Sequence, residues 1–320
     1  MKSYKILVIT PVSHISGVSD ILKNTGQVDF FDDPSLEEVK SIVHKYDAIF
    51  TNPNKSKVFL GEEVLQLATN LKVIATASTG TNHIDKTLAK ELNIEILSLT
   101  EEREVINRIS STAEHALALT LATLRNIPKS FQSVESGEWD YTKFIGRQLS
   151  HLTVGVIGFG RLGSLYSKYC NAFGSDVLVY DPYVDIPGPY ITSDSLDRLF
   201  IESDVISLHV HVNEETEGMI DSSFFEVAKE DVLIINTSRG DLINEVDLVN
   251  FLKKNKNARY STDVIANEVK DKSKNPILDY LKGSDQIIVT PHIGGMTREA
   301  QEIAYTHAAS LLENFLSFNK

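Results

Sequence analysis

Short apolar runs recur along the chain and alternate with segments whose apolar positions repeat every three or four residues. In the first third these runs are four or five residues long and rich in β-branched side chains, as is typical of parallel strands covered by helices. Ser35 and Glu38 predict a capping box at the start of one helical segment. The predicted strands are Lys5–Ile9, Val28–Phe31, Asp47–Thr51, Lys72–Thr76 and Ile94–Leu97, and the predicted helices between them include Ser35–His44 and Gly61–Asn70.

A second series of six strand-like runs follows, again alternating with helical segments. Two blocks of alternating strands and helices predict an α/β protein with two doubly wound parallel sheets. The first block is flavodoxin-like in its number of strands, but the order of strands within a sheet cannot be derived from sequence. The second series is Val154–Ile157, Val177–Tyr180, Val205–His209, Val232–Asn236, Tyr260–Val264 and Ile287–Thr290.

Two long helices are predicted at the junctions of these blocks, Ser111–Arg125 and Arg298–Phe318. Both carry enough apolar residues to be packed rather than to act as linkers. The first is expected to leave domain one and the second to return to it. We therefore expect one domain from residues 1–101 with 297–320, and a second from residues 102–296.

Composition narrows the class of protein. The 320 residues are 42% hydrophobic, and 31 Lys and Arg against 44 Asp and Glu give a net charge of −13. This charge argues against binding to nucleic acid or to an anionic membrane. Cys170 is the single cysteine, which excludes an internal disulfide and a zinc site of several thiolates, and no metal is expected. Without an evident signal peptide or membrane helix, we expect a cytoplasmic protein.

A glycine motif predicts the cofactor. Gly158, Gly160 and Gly163 form G-x-G-x-x-G between a predicted strand and a helical run, as in dinucleotide-binding domains, where the helix N-terminus receives the pyrophosphate. The next strand ends at Asp181, whose carboxylate suits ribose hydroxyls and would repel a 2′-phosphate, so NAD is favoured over NADP. The alternatives are a glycine-rich turn with an unrelated acid, or the S-adenosylmethionine site of a methyltransferase.

Several motifs in order along nearly the whole chain resemble the D-isomer-specific 2-hydroxyacid dehydrogenase family. The resemblance implies a flavodoxin-like substrate domain, a Rossmann NAD-binding domain, and an active site in the cleft between them. It also implies a homodimer, with Ser111–Arg125 near the contact. Besides the glycine motif and Asp181, the motifs are Ser78–Asp85, Thr112–Leu117, Asn236–Gly240, Ser261–Val264 with Glu268, and Thr290–Gly295.

The resemblance implies a catalytic trio of Arg239, Glu268 and His292. Histidine, with an ordinary pKa of about 6.5, can exchange the hydroxyl proton when an alcohol is oxidised to a ketone. Glu268 would orient the imidazole and favour its protonated form, and Arg239 would hold the substrate carboxylate and polarise the adjacent carbonyl. Taken singly, each residue has a plainer interpretation, such as a surface ion pair or a packed loop histidine.

Other roles follow from the same resemblance. Ser78, Thr79, Gly80 and Thr81 match the loop whose backbone amides receive the substrate carboxylate, together with Arg239 and His292. An ordinary turn is the alternative for this loop. The remaining cofactor-binding residues implied are Arg161, Leu162, Thr237, Ser238, Arg239, Asp263, His292 and Gly295.

Two features depart from the family pattern, and three further residues carry no assigned chemistry. Val269–Lys274 follows Glu268 where proline is usual, and His211 replaces a proline in the wall of the adenine pocket. His115 is expected to pack inside the protein or near a dimer contact. Cys170 is expected to be an inert buried thiol and Trp139 to be packed, although it could reach a neighbouring subunit.

We therefore expect an NAD-dependent enzyme that interconverts a D-2-hydroxyacid and its 2-ketoacid. Candidate substrates are 3-phosphoglycerate, glycerate or hydroxypyruvate, glyoxylate and lactate. Lys55 and Lys57 could meet a substrate phosphate, but solvated surface lysines are the favoured interpretation. The alternative function is a non-catalytic NAD sensor, for which the intact trio would have no chemical use.

Overall fold

The chain forms two compact units in a computed structural model that describes residues 4–53, 58–268 and 272–318. The first unit is Met1–Ile109 with Gly295–Lys320, and the second is Ser110–Gly294. The expected boundary follows residue 101, whereas the first unit continues to Ile109. Ile106 is buried in a core of this unit, and Ile109 packs against that core. The return to the first unit lies two residues before the expected position, at Gly295.

The first unit is a five-stranded parallel sheet with helices on both faces. Its strand order is β2-β1-β3-β4-β5, the flavodoxin-like order. Its strands are β1 (Lys5–Val8), β2 (Gln27–Phe30), β3 (Ala48–Thr51), β4 (Val73–Thr76) and β5 (Glu95–Leu97), and its helices are α1 (Val18–Thr25), α2 (Leu36–Ile42), α3 (Glu62–Leu65), α4 (Lys86–Glu91), α5 (Arg103–Ile106) and, from the far end of the chain, α13 (Arg298–Phe318).

Alternate residues of these strands enter two separate cores, since successive side chains of a strand point to opposite faces. Val8 and Phe50 pack with α1, α5 and α13, whereas Leu7 and Ile49 pack with α2, α3 and α4. The helix α13 is thus part of the first unit's core rather than an appendage.

The second unit is a seven-stranded parallel sheet of order β12-β11-β10-β9-β6-β7-β8, a Rossmann arrangement extended by one strand. Its strands are β6 (Thr153–Ile157), β7 (Asp176–Tyr180), β8 (Ile191–Thr192), β9 (Val205–Leu208), β10 (Leu233–Asn236), β11 (Arg259–Thr262) and β12 (Ile287–Val289), and its helices are α6 (Ser111–Leu124), α7 (Ile127–Glu135), α8 (Arg161–Ala172), α9 (Leu196–Glu202), α10 (Ser222–Val227), α11 (Glu245–Lys254) and α12 (Pro276–Leu281).

Helices cover both faces of this sheet as well. Ala116 of α6 and Tyr166 of α8 belong to one core, and Phe200 of α9 and Leu248 of α11 belong to the other. The prediction of two doubly wound parallel α/β domains is therefore confirmed. Short 3₁₀ turns at Val43–Lys45, Tyr141–Phe144, Leu149–His151 and Gly240–Leu242 complete the regular structure of the described ranges.

The strand register aligns the residues that follow the strands of the second sheet. Asn236 pairs with Thr262, and Thr262 pairs with Val289. The next residues, Thr237, Asp263 and Thr290, therefore begin the three loops side by side at one edge of the sheet. In parallel sheets this carboxyl edge is where ligands bind.

Among the residues that the structure describes, no helix combines the length and the apolar run needed to cross a bilayer.

Candidate functional site

The loop after β6 has the backbone of a dinucleotide site. Gly158 has φ 90°, and a Cβ there would lie 2.7 Å from the carbonyl oxygen of His209. A Cβ at Gly163 would overlap the carbonyl oxygen of Gly158, so this glycine permits α8 to approach the strand closely. Around Gly160, by contrast, no described atom lies within 4 Å of the position of a Cβ. Two glycines are therefore required by packing, and the middle one borders open space.

Backbone donors surround that open space. The amides of Gly160 and Leu162 donate to no acceptor within the described residues, while the amide of Gly158 donates to the carbonyl of Tyr180 at 2.8 Å. Gly160 is the N-cap of α8, whose positive dipole end lies at this loop. These groups fit a pyrophosphate, which accepts hydrogen bonds from backbone amides and is stabilised by the helix dipole.

Asp181 fixes the neighbouring part of the loop. Its carboxylate accepts hydrogen bonds from the amide of Phe159 at 2.7 Å and from the amide of Tyr183 at 2.9 Å. It thereby joins the glycine loop to the end of β7, at the position where an acid receives the ribose hydroxyls in dinucleotide sites.

His292 and Glu268 form a direct pair. The distance from His292 Nδ1 to Glu268 Oε1 is 2.7 Å, and the two side chains are only 21% and 16% exposed. His292 has φ 55°, a conformation uncommon outside glycine, and its amide bonds to the carbonyl of Asp263 at 2.9 Å. The structure therefore brings these two members of the predicted trio together and holds the backbone of the histidine in an unusual turn.

Arg239 lies in the turn after β10. Asn236 holds this turn, because its Nδ2 donates to the carbonyl of Arg239 at 2.8 Å and its Oδ1 accepts from the amide of Ser238 at 3.0 Å. Burial lowers the pKa of the Arg239 guanidinium, and the carboxylates of Glu268 and Asp241 oppose this shift. Arginine stays charged under such a shift, so the guanidinium is a cation within electrostatic range of Glu268.

The carboxylate of Asp263 accepts its hydrogen bonds from groups of the protein itself. Its side chain is 1% exposed, and it accepts hydrogen bonds from Thr290 Oγ1 at 2.5 Å, from the amide of Ile293 at 2.8 Å and from the amide of Gly294 at 2.7 Å. Burial alone would raise the pKa of this carboxyl, but hydrogen bonds from His115, Thr290 and the two amides bring it below its ordinary value. The visible role of Asp263 is to hold the segment that bears His292.

His115 takes part in that same anchor, with Nε2 at 2.8 Å from Thr290 Oγ1 and 3.4 Å from Asp263. From the sequence we expected His115 only to pack inside the protein or near a dimer contact, and we gave Asn236 no role. Both residues lie within motifs that the chain shares with the family, but a sequence motif does not show which residues its side chains contact. Thr237 is buried, Ser238 donates its hydroxyl to the carbonyl of Leu208 at 2.8 Å, and Gly295 is the first residue of the returning segment.

In the first unit, the backbone carbonyls and the backbone amides of the loop Ser78–Thr81 differ in their hydrogen bonding. Its four carbonyls all accept hydrogen bonds, from the amides of Leu99 and Ile84 and from the hydroxyls of Thr100 and Ser78. Its four amides donate to no acceptor within the described part of the chain. Adjacent amides without partners form a concave site for an anion, which suits a carboxylate.

Several other residues named in the sequence analysis lie outside this set of contacts. Cys170 is buried, and burial raises the pKa of its thiol to about 12, as expected of an inert thiol. The expectation that Trp139 is packed is wrong, since its side chain is 91% exposed. His211 is exposed, and its carbonyl accepts from Thr216 Oγ1 at 2.6 Å. Lys55, Lys57 and residues 269–271, the first half of the segment after Glu268, lie outside the described residues.

The described ranges contain no group of three or more His, Cys, Asp or Glu side chains that could hold a metal ion. The donors at this site are backbone amides, a guanidinium, an imidazole and carboxylates. They suit an organic cofactor and an anionic substrate.

Comparison with known proteins identifies the family of the chain. The family model "D-isomer specific 2-hydroxyacid dehydrogenase, NAD binding domain" matches residues 117–294, more than half of the chain. The chain therefore belongs to the D-isomer specific 2-hydroxyacid dehydrogenase family, and its second unit contains the family's NAD-binding domain.

Individual relatives extend the similarity beyond this domain. A D-3-phosphoglycerate dehydrogenase of Archaeoglobus fulgidus is 37% identical over 300 residues, covering 93% of this chain and 54% of that protein. The corresponding Synechocystis protein is 34% identical over 302 residues, covering 93% and 51%. The chain thus spans about half the length of the curated relatives it matches. The crystal structure of D-lactate dehydrogenase from Aquifex aeolicus, complexed with NAD and lactic acid, is 28% identical with a TM-score of 0.78, covering 98% of this chain and 95% of that one.

Proposed function

We propose that this protein is an NAD-dependent oxidoreductase that interconverts a D-2-hydroxyacid and its 2-ketoacid. The observation that carries the proposal is the 2.7 Å pair of His292 Nδ1 and Glu268 Oε1, beside Arg239, in an NAD-binding domain of this family. A carboxylate at one ring nitrogen fixes the orientation of an imidazole and stabilises its protonated form.

Each member of the trio has a distinct task. His292 exchanges the proton of the substrate hydroxyl, and Glu268 keeps its ring oriented and compensates the charge of the imidazolium. Arg239 binds the substrate carboxylate with its planar fork and polarises the adjacent carbonyl. Its partial burial strengthens this attraction, because charges interact more strongly where water is excluded.

Bound NAD supplies the hydride acceptor, and NADH the donor. The amides of Gly160 and Leu162 and the N-terminus of α8 support binding of the pyrophosphate, and Asp181 supports binding of the ribose. The carboxylate of Asp181 would repel a 2′-phosphate, which favours NAD over NADP. Arg161, Gly158, Gly163, Thr237, Ser238, Arg239, His292 and Gly295 complete the proposed cofactor-binding set. Asp263, whose carboxylate is bonded to Thr290 and to the amides of Ile293 and Gly294, would contribute by holding the segment that bears His292.

We assign the substrate carboxylate a second set of donors in the loop Ser78–Thr81. The four amides of this loop support the assignment, because they donate to no acceptor among the residues that the structure describes, whereas the four carbonyls of the loop already accept hydrogen bonds.

Among candidate substrates, 3-phosphoglycerate is the first choice because the curated relatives named above are D-3-phosphoglycerate dehydrogenases. Lactate remains in the proposal because the similar Aquifex aeolicus structure holds lactic acid. Glycerate or hydroxypyruvate and glyoxylate remain as further candidates of the same chemical class.

The test is the loss of NADH absorbance with purified protein and four 2-ketoacids: 3-phosphohydroxypyruvate, hydroxypyruvate, glyoxylate and pyruvate. We expect turnover with at least one acid, and a roughly 10²–10⁴-fold lower kcat in His292→Asn, the contribution typical of a positioned acid–base group. NADH binding without turnover of any acid would instead support an NAD sensor.

A second histidine–carboxylate pair provides a matched control. His307 Nε2 lies 2.7 Å from Glu102 Oε2 within the first unit, with side chains 29% and 33% exposed. His307→Asn should leave kcat unchanged within about twofold, because this pair has no part in the proposed chemistry. Equal losses in both variants would show that general damage, rather than lost acid–base catalysis, explains the effect.

We also propose that the protein forms a homodimer through a surface of the second unit that we call the 127–145 patch. The helix α7 within it has none of its residues buried, although its apolar side chains share one face. Contiguous exposed apolar surface marks sites of protein association. The exposed apolar residues of the patch are Ile127, Phe131, Val134, Trp139, Tyr141 and Ile145, which are 51% to 91% exposed.

A further inference from the structure

Glu245 is a buried acidic residue outside the proposed trio. It is the first residue of α11 and only 6% exposed. Its Oε1 accepts a hydrogen bond from the amide of Ala266 at 2.8 Å, and its Oε2 accepts one from Asn275 Nδ2 at 2.5 Å. Burial raises the pKa of this carboxyl, and the two hydrogen bonds limit that rise. A carboxylate is expensive to bury, and the hydrogen bonds to both of its oxygens offset that cost here.

Asn275, which follows Glu268 in the sequence, joins Glu245 and Ala266 in the same set of hydrogen bonds. Its Nδ2 also lies 3.3 Å from the carbonyl of Ala266, and its Oδ1 caps α12 by accepting from the amides of Ile277 and Leu278 at 3.0 and 3.2 Å. Ala266 precedes Glu268 by two residues and Asn275 follows it by seven. The three-residue set of Glu245, Ala266 and Asn275, which we call the Glu245 clamp, therefore ties both flanks of Glu268 to α11 and α12.

Gly240 supports the same segment from another side. A Cβ on Gly240 would overlap the backbone of Ile265 and Ala266, so the two chain segments are in direct backbone contact. Gly240 directly follows Arg239. The loop that bears Glu268 is thus packed against the turn that bears Arg239 and is hydrogen-bonded to two helices.

We propose that Glu245 and Asn275 are positioning residues that hold Glu268 against His292. This inference rests on the proposed function, since it matters only if the His292–Glu268 pair takes part in the reaction. The physical reason is that the 2.7 Å contact must be formed by a loop residue. A loop that samples many conformations loses the contact for part of the time, whereas a loop tied at both flanks keeps it.

The experiment measures kcat, the KM for NADH and thermal stability for Glu245→Gln and Asn275→Ala. Both substitutions break the hydrogen bond between the two side chains while leaving the trio intact. We expect kcat to fall roughly tenfold, part of the ~10²–10⁴-fold that a positioned acid–base group supplies, with little change in the KM for NADH. The double variant Glu245→Gln with Asn275→Asp exchanges donor and acceptor, and should restore kcat to within about threefold.

Two further measurements separate positioning from simple structural support. In a Glu268→Gln background, Glu245→Gln should lower kcat less than about twofold, because the residue through which it acts is already lost. Independently of activity, hydrogen exchange of residues 264–268 should be faster in Glu245→Gln than in the unmodified protein. Asp247→Asn is the matched control, since Asp247 lies in the same turn of α11 but bonds to the amide of Ser222 instead.

The outcomes distinguish this inference from the function on which it rests. Suppose that the unmodified protein turns over a ketoacid, and that Glu245→Gln lowers kcat by the same factor in the unmodified and the Glu268→Gln backgrounds. This result would overturn the positioning role but not the proposed function. Unchanged exchange in residues 264–268 together with unchanged kcat would do the same. Absence of turnover with every ketoacid would overturn the proposed function and the positioning role with it.

Discussion

At the scale of single residues, Gly160 and Gly163 have opposite surroundings although they belong to one motif. The space beside Gly160 is open, whereas a Cβ at Gly163 would overlap the carbonyl oxygen of Gly158. Gly163→Ala should therefore destabilise the protein by about 2 kcal/mol or more, as overpacking does. Gly160→Ala should leave stability unchanged but weaken NADH binding about tenfold, because its methyl group occupies the space proposed for the pyrophosphate.

Thermal unfolding without cofactor and fluorescence titration with NADH measure the two effects separately. Gly188→Ala is a useful control, because its Cβ would also meet no described atom within 4 Å and it lies outside the motif. Loss of stability in Gly160→Ala, with unchanged NADH binding, would contradict the proposed placement of the pyrophosphate.

At the scale of secondary-structure elements, the capping box predicted at Ser35 is present. Ser35 Oγ accepts from the amide of Glu38 at 3.3 Å, and the Glu38 carboxylate accepts from the amide of Ser35 at 2.8 Å. Ser35→Ala should lower the free energy of unfolding by about 1 kcal/mol, the usual contribution of an N-cap, without changing NADH binding.

Chemical denaturation measures this difference. Ser41→Ala is the control, because Ser41 donates its hydroxyl to the carbonyl of Glu38 and caps no helix end. An equal loss in both variants would mean that the capping box contributes nothing beyond an ordinary surface hydrogen bond.

The sequence predicted these elements well where apolar spacing was strong. The strands before α6 agree within one residue, and α13 agrees at both ends. The predicted helix Gly61–Asn70 contains only the four-residue α3, since its remainder continues as hydrogen-bonded turns. The two-residue β8 was not predicted, because so short a strand, with exposed residues, has no periodicity to detect.

The site was predictable where a motif requires a particular backbone or reactive group, as at Gly163 or His292. The supporting residues were not. Glu245 resembles any acid in the first turn of a helix, and only the tertiary fold buries it beside Ala266 and Asn275. Asn275 before Pro276 is a recognisable N-cap signal, and it could have indicated the start of α12. No local pattern could have shown that the same side chain reaches Glu245, because that contact spans 30 residues.

At the scale of the whole molecule, the proposed dimer predicts that charged substitutions in the 127–145 patch lower the mass of the particle in solution from that of a dimer to that of a monomer. Phe131→Glu combined with Trp139→Glu places two charges on residues that are 63% and 91% exposed. We expect sedimentation velocity to give a dimer for the unmodified protein and a monomer for the double variant, since a buried unpaired charge is costly at an interface.

Leu67→Glu, at an apolar residue of the first unit that is 44% exposed, should leave the dimer intact. A monomeric unmodified protein at micromolar concentration would contradict the proposed dimer. Dissociation by Leu67→Glu alone would mean that the contact lies elsewhere.

Because each unit has its own hydrophobic cores, we also expect the second unit to fold without the first. Residues 110–294 contain both cores that cover the faces of the seven-stranded sheet. Expressed without the rest of the chain, they should unfold cooperatively and bind NADH, with a stability gain of about 2.7 kcal/mol at 100 times the Kd. Calorimetry with and without NADH measures this gain, and a fragment that neither unfolds cooperatively nor responds to NADH would contradict the prediction.

The position of α13 has a consequence for the order of events during synthesis. The first unit needs Ala308 and Leu312 of this helix to complete the core around Val8 and Phe50, yet the ribosome makes them only after the entire second unit. At ~5–20 residues per second, the intervening 110–294 segment takes roughly 10 to 40 s to translate. For that interval the nascent first sheet has one apolar face incompletely covered. The part of the chain that is made first is therefore the part whose core is completed last.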